Sequence, residues 1–543
     1  MSTLAHENLA SLVHSFVSND PNRVALIFEG GGHRSDVVRS YEDLWRNGQA
    51  IARGLRQRGV IPGTVIAVLM ANHAEFVELM VAAALLRATL VPIDPRTKGE
   101  TLAFMVKNSR ARAIIAADYA LPNIEDLGND TLSVDWIAAL VTDEGPIRHE
   151  WRSDVLDFST LVDPAGGDLP LPQGIGGEIM QIVHTSGTTG DPKGIVLTHR
   201  RFCETSERTF RAFYQPDDRL YSGLSLTHVN ALIVTMGSAL TGGLPAVFSR
   251  RFTRTRLWEI TRKYCCTTFT LLGGMTTALY ARPPMPDDAD NPVRFVLSAG
   301  MPAAIWENFE HRFGVRVLEF YGSAEGGLAF KPLGVGPVGS FGKLASGFIY
   351  RIVDDAGVDV PRGQPGELWI RAADGTPFQI EYIGNPKASA LKGAGGWLHM
   401  GDVVHEDADG WLYFDYRKGG GIRRNGDFIS PAHVEKAIAE SSLVQDVFVY
   451  GIPSNSGAPG EKDVVAAIVP TDPAAFDPQA IYRWCRTHLE GNSVPTYLQI
   501  VDQIPKTASE KPQAHSLAQV FAAAARNVHS EEREASVVGY HSK

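Results

Sequence analysis

The stretch "HTSGTTGDPKG", residues 184–194, combines hydroxyl side chains, glycines and a lysine in one short segment. Such a segment offers hydroxyl, backbone N–H and ammonium donors to a phosphate group. Its spacing differs from that of the common nucleotide-binding P-loop, in which more widely spaced glycines are followed at once by Lys and then Ser or Thr. Here Gly187 and Gly190 are too close, and Lys193 follows Pro192, which has no backbone N–H. The stretch therefore predicts a phosphate site of another kind.

The composition of the 543-residue chain is typical of a globular protein with several domains, since 44% of the residues are apolar and 21% are charged. The formal net charge is −10 and the basic residues form no run, which argues against a nucleic-acid partner. Four cysteines without metal-type pairing indicate a reducing, cytoplasmic location. The best candidate for a membrane span, "FVELMVAAALL" (76–86), contains Glu78 and is far shorter than the ~20 apolar residues of a span. We therefore predict a packed helix there and no membrane span.

Short apolar runs alternate with amphipathic stretches over the first 400 residues or so. Strands are predicted at 65–71, 89–94, 111–117, 244–249, 267–272 and 295–300, and a helix at 75–86. This alternation favours the α/β class, with parallel sheets covered by helices. From about residue 338, short strands broken by Gly and Pro turns predict a smaller β-rich subdomain.

The segment "RKGGGIRRNGD" (417–427) marks a domain boundary. Three consecutive glycines at 419–421 are compatible with a tight turn or with a hinge. We predict a large N-terminal domain over 1–417 and a small, mobile α+β cap over 418–543, with the hinge at about 417–421. The tail from about Asn527 is expected to fray.

Four further motifs follow the phosphate stretch: "EFYGSAE" (319–325), "GWLHMGD" (396–402), "YFDYRK" (413–418) and "IPKTASEKPQ" (504–513). Each motif alone is a weak signal, because isolated Asp, Glu or Lys residues usually lie on the surface. Together, in this order, they resemble the adenylate-forming superfamily of acyl-CoA synthetases, peptide-synthetase adenylation domains and firefly luciferase. The resemblance covers nearly the whole chain.

The resemblance implies a two-step reaction. A carboxylate attacks the α-phosphate of ATP and pyrophosphate leaves, and a thiol then displaces AMP from the acyl adenylate. The implied cofactors are ATP, Mg²⁺ and coenzyme A (CoA), and the implied substrate is a small carboxylic acid. A homodimer and a separate adenylating enzyme are further hypotheses about partners.

The resemblance also implies roles for individual residues. The nucleotide and its phosphates are assigned to Thr185, Ser186, Gly187, Thr188, Thr189, Gly190, Lys193, Gly300, Tyr321, Gly322, Ser323, Asp402 and Arg417. Tyr321 and Gly300 would flank the adenine, and Asp402 with Arg417 would bind the ribose. Glu325 resembles the Mg²⁺ ligand and Lys511 the catalytic lysine of the cap, and Gly426 lies where relatives line the pantetheine tunnel.

The acyl pocket is predicted from "SLTHVNAL" (225–232) and from glycine-rich segments. His228 is the candidate for a catalytic or pocket residue, although a structural histidine is the alternative. The other predicted pocket residues are Asn230, Gly273, Gly274, Gly300, Met301, Gly326 and Gly327. These pocket residues are small and apolar, and none of them is a charged residue that could pair with a second carboxylate or an α-amine of the substrate. We therefore expect the substrate to be a bulky apolar or aryl acid.

Several residues depart from the family pattern around the ATP chemistry: Ala324, Met400, Gly419, Gly420, Phe428 and Glu510. Loss of one hydroxyl donor to a charged phosphate costs about 1.5–3 kcal/mol, which slows a reaction without ending it. The leading hypothesis is a complete acid:CoA ligase. Two alternatives are an enzyme that performs only the thioester-forming half, and a non-catalytic adenylate-binding relative.

Overall fold

The computed structural model describes most of the chain. It covers residues 6–127, 134–142, 144, 151–185, 192–418, 422–424, 427–429, 431–454, 462–489, 491–507, 512–523 and 525–531.

The strands and helices before residue 418 are as follows. The strands are β1 (Val24–Phe28), β2 (Val37–Ser40), β3 (Val65–Leu69), β4 (Thr89–Ile93), β5 (Ala113–Ala117), β6 (Trp136–Leu140), β7 (Val155–Asp157), β8 (Ile179–Thr185), β9 (Lys193–Thr198), β10 (Leu220–Ser222), β11 (Ala246–Phe248), β12 (Thr268–Leu272), β13 (Phe295–Ala299), β14 (Arg316–Ser323), β15 (Gly326–Lys331), β16 (Lys343–Leu344), β17 (Phe348–Val353), β18 (Gly366–Ala372), β19 (Leu398–Glu406) and β20 (Leu412–Arg417). The helices are α1 (Leu9–Asn19), α2 (Tyr41–Gln57), α3 (Ala74–Leu86), α4 (Gly99–Asn108), α5 (Leu121–Glu125), α6 (His199–Phe213), α7 (Ser238–Gly242), α8 (Leu257–Lys263), α9 (Gly273–Tyr280), α10 (Trp306–Phe313) and α11 (Pro386–Lys392).

Two large sheets form the frame of this region. Their strand orders are β16-β15-β14-β13-β12-β10-β11-β1-β2 and β7-β6-β5-β3-β4-β8-β9. The central strands pair in parallel and the antiparallel pairs lie toward the edges, as in β8–β9 and β14–β15. Every residue of β4 and β5 is buried, as expected for strands of a parallel sheet that is covered on both faces. The predicted α/β class is confirmed.

The apolar segment 76–86 forms most of α3, which packs against α1 and α2. Glu78 is buried within it, and its carboxylate accepts from Arg39 Nε at 2.6 Å and from Asn47 at 2.7 Å. The prediction of a packed helix is therefore confirmed. Among the described residues, no helix is long and apolar enough to cross a membrane.

The predicted β-rich subdomain is the antiparallel sheet β17-β18-β19-β20. Its inner face carries the buried side chains of Ile352, Leu368, Ile370, Leu398 and Met400, which form their own core. This sheet brings the end of β20 close to the β14–β15 hairpin, so that the motifs near 320 and 400 meet.

The C-terminal part contains β21 (Ile422–Arg424), β22 (Asp427–Ile429), α12 (Pro431–Ala439), β23 (Val444–Pro453), β24 (Lys462–Pro470), α13 (Pro478–His488), β25 (Tyr497–Ile500), α14 (Ala514–Ala523) and β26 (Val528–Ser530). The sheet order is β23-β24-β25-β26. The expectation that the chain frays from Asn527 is wrong for its first residues, because β26 pairs with β25 and the His529 carbonyl accepts from Tyr482 Oη at 2.9 Å. The boundary at 417–418 stays a prediction, and the hinge glycines 419–421 lie outside the described residues.

Candidate active site

The β8–β9 hairpin carries the predicted phosphate loop. Thr185 ends β8 and pairs with Lys193, which begins β9. Lys193 is exposed, and its Nζ lies 5.4 Å from the centroid of the Tyr382 ring. The predictions for Ser186, Gly187, Thr188, Thr189 and Gly190 lie outside the described residues. The two ends of the loop are thus fixed by strand pairing.

His184 stands immediately before this loop and is largely buried. Neither of its ring nitrogens has a hydrogen-bond partner in the part of the chain that the structure describes. Burial lowers the pKa of His184 to about 4, so the imidazole is neutral at physiological pH. A Cβ atom at Gly194 would lie 3.1 Å from His184 Nε2, which explains why glycine suits the facing position on β9.

Tyr321, Asp402 and Arg417 converge at the end of the β14–β15 hairpin. The Tyr321 hydroxyl donates to Asp402 Oδ2, and Arg417 Nη1 donates to Oδ1 at 2.7 Å. Asp402 and Arg417 face each other in the register of β19 and β20, and Asp402 is only 4% exposed. One face of the Tyr321 ring stacks on Phe341 with centroids 4.5 Å apart. The structure therefore brings together three of the residues assigned to the nucleoside.

Gly322 and Ser323 complete this hairpin. A Cβ atom at Gly322 would come within 2.9 Å of the Gly327 carbonyl oxygen. Ser323 Oγ donates to the Gly326 carbonyl at 3.2 Å. The Ser323 hydrogen bond closes the turn that presents Glu325, and the close approach of Gly327 requires glycine at position 322.

Glu325 lies among cationic and hydroxyl groups. Tyr382 Oη donates to its Oε1 at 2.6 Å. Burial alone raises the pKa of Glu325, but the Lys392 ammonium and the Tyr382 hydroxyl outweigh it and bring the pKa below its usual value. An ionised carboxylate of this kind is a hard oxygen ligand, and Mg²⁺ is usually held by one or two carboxylates together with substrate phosphates. Glu325 therefore fits the ion that the motif implies.

Three residues of this region were missed by the reasoning from sequence: Arg201, Tyr382 and Lys392. Arg201 donates to the carbonyl of Ala324, and burial lowers the pKa of its guanidinium. Lys392 Nζ donates to the Met400 carbonyl at 3.0 Å. Arg201 follows β9 and Lys392 ends α11, so the only signal in the sequence was their proximity to the phosphate stretch and to "GWLHMGD".

The predicted acyl-pocket wall is formed by a close approach of two segments. A Cβ atom at Gly273 would lie 2.8 Å from the Gly300 carbonyl oxygen, and Gly300 has a φ of +99°. Glycine is therefore required at both positions. The buried Glu319 carboxylate accepts from the backbone N–H of Gly300 and, at 3.2 Å, from that of Met301. Met301 itself is 5% exposed.

His228 and Asn230 lie at the start of a π-helix, Asn230–Gly237. Helices of this type are frequent at functional sites. His228 Nδ1 accepts from the Asn230 backbone N–H at 3.2 Å, so the neutral ring carries its proton on Nε2. Asn230 is 6% exposed, and its Oδ1 has no hydrogen-bond partner among the described residues.

Gly326 and Gly327 pack against the β-rich subdomain. Cβ atoms there would lie 2.8 Å from Phe378 and 2.9 Å from Ile370.

The cap reaches the pocket wall through Lys506. Its Nζ is paired with Asp446 at 2.6 Å and would lie 3.7 Å from a Cβ atom at Gly274. Lys506 also forms an antiparallel bridge with Pro512, the residue after Lys511. The predictions for Lys511, Gly426 and Glu510 lie outside the described residues, as does the side chain of Phe428.

Comparisons with known proteins identify the family of this chain. A family model described as AMP-binding enzyme matches residues 13–376, and one described as AMP-binding enzyme C-terminal domain matches residues 433–511. The crotonobetaine/carnitine–CoA ligase of Escherichia coli O7:K1 is 27% identical over 519 residues, which is 90% of this chain and 95% of the relative. Long-chain fatty acid transport protein 1 of Homo sapiens is 28% identical over 546 residues, or 94% of this chain and 82% of the relative.

The crystal structure of the anthranilate CoA ligase AuaEII in complex with anthranoyl-AMP has the same fold. Its TM-score is 0.80 at 22% identity, and the match covers 96% of this chain and 99% of that one. The N-terminal family model alone spans more than half of the sequence, and the C-terminal model follows it in order. The chain therefore belongs to the family of AMP-binding enzymes, and its resemblance to the adenylate-forming superfamily is confirmed.

Proposed function

We propose that this protein is an acid:CoA ligase. In the first step, a carboxylate oxygen of the acid attacks the α-phosphate of ATP and pyrophosphate leaves. In the second step, the CoA thiol attacks the acyl carbon, AMP leaves, and a thioester forms. The observation that carries the proposal is the convergence of Asp402, fixed by Tyr321 and Arg417, with the ionised Glu325 at one end of the β14–β15 hairpin.

The nucleoside is bound by groups that are already oriented. Asp402 accepts hydrogen bonds from the ribose hydroxyls. Arg417 and Tyr321 each donate to one of its carboxylate oxygens and hold the carboxylate in place. Burial and the Asp402 carboxylate raise the pKa of Tyr321, so the phenol stays protonated and keeps donating. Thr185 and Lys193 hold the ends of the loop that receives the phosphates. A site built in advance in this way stabilises charge without further reorganisation.

Glu325 would hold Mg²⁺ through its carboxylate. When bound, the ion neutralises the charge on the phosphates as pyrophosphate leaves. Tyr382 orients the carboxylate through a hydrogen bond of 2.6 Å, and the Lys392 ammonium helps to keep it ionised.

The acid lies between the Gly273–Gly300 wall and the π-helix. The backbone contact between Gly273 and Gly300 leaves no side chain on this wall, and the buried Asn230 Oδ1 is ready to accept a hydrogen bond. His228 Nδ1 accepts from the Asn230 backbone N–H, and we assign its Nε2–H to the acyl pocket. We infer a bulky apolar or aryl acid, which is consistent with the anthranoyl-AMP bound in the structural neighbour.

The cap, residues 418–543, alternates between the two steps around the hinge at 417–421. Lys506 beside Gly274 supports an orientation in which the segment carrying Lys511 faces the acid and the α-phosphate. For the second step, the hairpin around Gly426 turns to line the pantetheine path. CoA is the simplest thiol that could accept the acyl group. A homodimer is a separate hypothesis about the assembly.

A second candidate, an enzyme that performs only the thioester step, is favoured by one feature of the site. Ala324 has no side-chain donor and Met400 is fully buried, so neither residue offers a hydroxyl to the phosphates. A separate adenylating enzyme would then supply the acyl adenylate.

The deciding experiment measures pyrophosphate release across a panel of carboxylic acids, alongside CoA consumption with the matching synthetic adenylates. The wild type is compared with the double variant Ala324→Thr, Glu510→Gly. A complete ligase releases pyrophosphate with at least one acid, and the double variant changes that rate only a few fold, since adenylation is then already supported without the Thr hydroxyl. A thioester-only enzyme consumes CoA but gains pyrophosphate release only in the double variant. Absence of both activities would reject the proposed function.

A further inference from the structure

Lys392 is positioned by a helix that is itself anchored to the site. Asn385 caps α11 by accepting from the Ala388 backbone N–H at 3.0 Å. Ser389 Oγ accepts from the backbone N–H of Tyr382 at 2.9 Å, which ties the helix to the residue that holds Glu325. Lys392 ends this helix, and its Nζ donates to the Met400 carbonyl at 3.0 Å.

The Lys392 ammonium is only partly satisfied. It has three donors, of which the Met400 carbonyl takes one. Among the described residues it forms no ion pair within 4.0 Å. Burial lowers its pKa, and the surrounding carboxylates of Glu325, Asp402 and Glu367 oppose this effect while Arg417 adds to it. An ammonium with one carbonyl partner and no carboxylate partner has donors left for a bound anion.

The position of this cation points to one phosphate. Its Nζ is bonded at 3.0 Å to the carbonyl of Met400, two residues before Asp402, the proposed ribose acceptor. Its charge also acts on Glu325, the proposed metal ligand. In ATP, the α-phosphate is the group between the ribose and the metal-bound tail. The neighbouring residues Ala324 and Met400 have no side-chain donor, and their carbonyls are taken by Arg201 and Lys392.

On the basis of the proposed function, we propose that Lys392 binds the α-phosphate of ATP and of the acyl adenylate. It is then a catalytic residue that neutralises charge as the bond to pyrophosphate breaks. It supplies the donor that Ala324 and Met400 lack, which favours a complete ligase over a thioester-only enzyme.

The test compares the binding of AMP and adenosine by calorimetry, which needs no turnover. Lys392→Met keeps an unbranched side chain, one heavy atom shorter, and removes the charge. We expect the affinity for AMP to fall about ten- to a hundredfold, the loss typical of a charge-assisted hydrogen bond, while the affinity for adenosine is unchanged. Lys392→Arg should recover part of the affinity for AMP. Lys387→Met, an exposed position on the same helix, is the matched control and should behave as wild type.

Two results overturn the inference. One is a Lys392→Met variant that binds AMP as the wild type does. The other is equal loss of AMP and adenosine binding, which indicates a structural role. Failure of the proposed function is distinguishable, because it appears in the wild type as absence of pyrophosphate release and CoA consumption, whatever Lys392→Met does to AMP affinity.

Discussion

Glu319 gives the most quantitative prediction. It is 4% exposed and holds the backbone of Gly300 and Met301. Burial raises the pKa of Glu319 to about 7, against the opposing effects of those two N–H groups, the Ser298 hydroxyl and the Lys331 ammonium. The proposed change is Glu319→Gln, which keeps the shape and an oxygen acceptor but cannot titrate.

The direction in which stability changes with pH follows from the protons that each state binds. Between the unfolded pKa of 4.5 and the folded pKa of about 7, the folded state binds more protons than the unfolded state. The contribution of Glu319 to stability is therefore full below 4.5 and is lost as the pH rises through 7. Between pH 5 and pH 8 the free energy of unfolding of the wild type should fall by about 2.5 kcal/mol relative to that of Glu319→Gln. This figure follows from 1.36 kcal/mol per pKa unit.

The assay is urea unfolding of both proteins at pH 5 and pH 8, followed by tryptophan fluorescence. The measured quantity is the difference in free energy of unfolding between wild type and variant at each pH. Glu307→Gln, at an exposed position on α10, is the control and should show no such dependence. If the difference between wild type and Glu319→Gln is the same at both pH values, the reasoning from burial is refuted.

Three other changes test the proposed site. Asp402→Asn should weaken adenosine binding about tenfold or more, because it removes the charged partner of Arg417 and the acceptor for the ribose; titration calorimetry measures this. Lys511→Ala should abolish pyrophosphate release and spare CoA attack on a synthetic adenylate, as single-turnover assays of each half-reaction would reveal. Gly419→Pro should restrict the hinge and change the ratio of the two half-reaction rates.

Each of these has a result that contradicts it. If Asp402→Asn binds adenosine as tightly as the wild type does, Asp402 is not the acceptor for the ribose hydroxyls. A parallel fall of both half-reactions in Lys511→Ala would assign the lysine another role. Equal slowing of both steps with loss of folding in Gly419→Pro would identify a structural turn instead of a hinge.

Local patterns in the sequence were sufficient for the class of fold and for the family. Runs such as 65–69 and 113–117 are continuously apolar because both faces of a parallel strand are buried. Such a strand can be predicted from its own residues, without knowledge of the strands with which it pairs. The pairing of Asp402 with Arg417 was expected from the family resemblance, and the register of β19 and β20 places the two residues opposite each other. The strand at 528–530 was missed because its pairing with β25 depends on a neighbour about thirty residues away, not on its own composition.

The charge around Glu325 was decided by tertiary structure alone. Arg201 lies on α6, Tyr382 precedes α11 and Lys392 ends α11, so only the folded chain brings these residues to Ala324, Glu325 and Met400. Periodicity reports which face of an element is buried, but it carries no information on which distant side chains share that burial. From the sequence alone, a lysine at the end of a helix is predicted to be exposed to solvent. Its approach to a carboxylate and a carbonyl follows from the folded arrangement of the backbone.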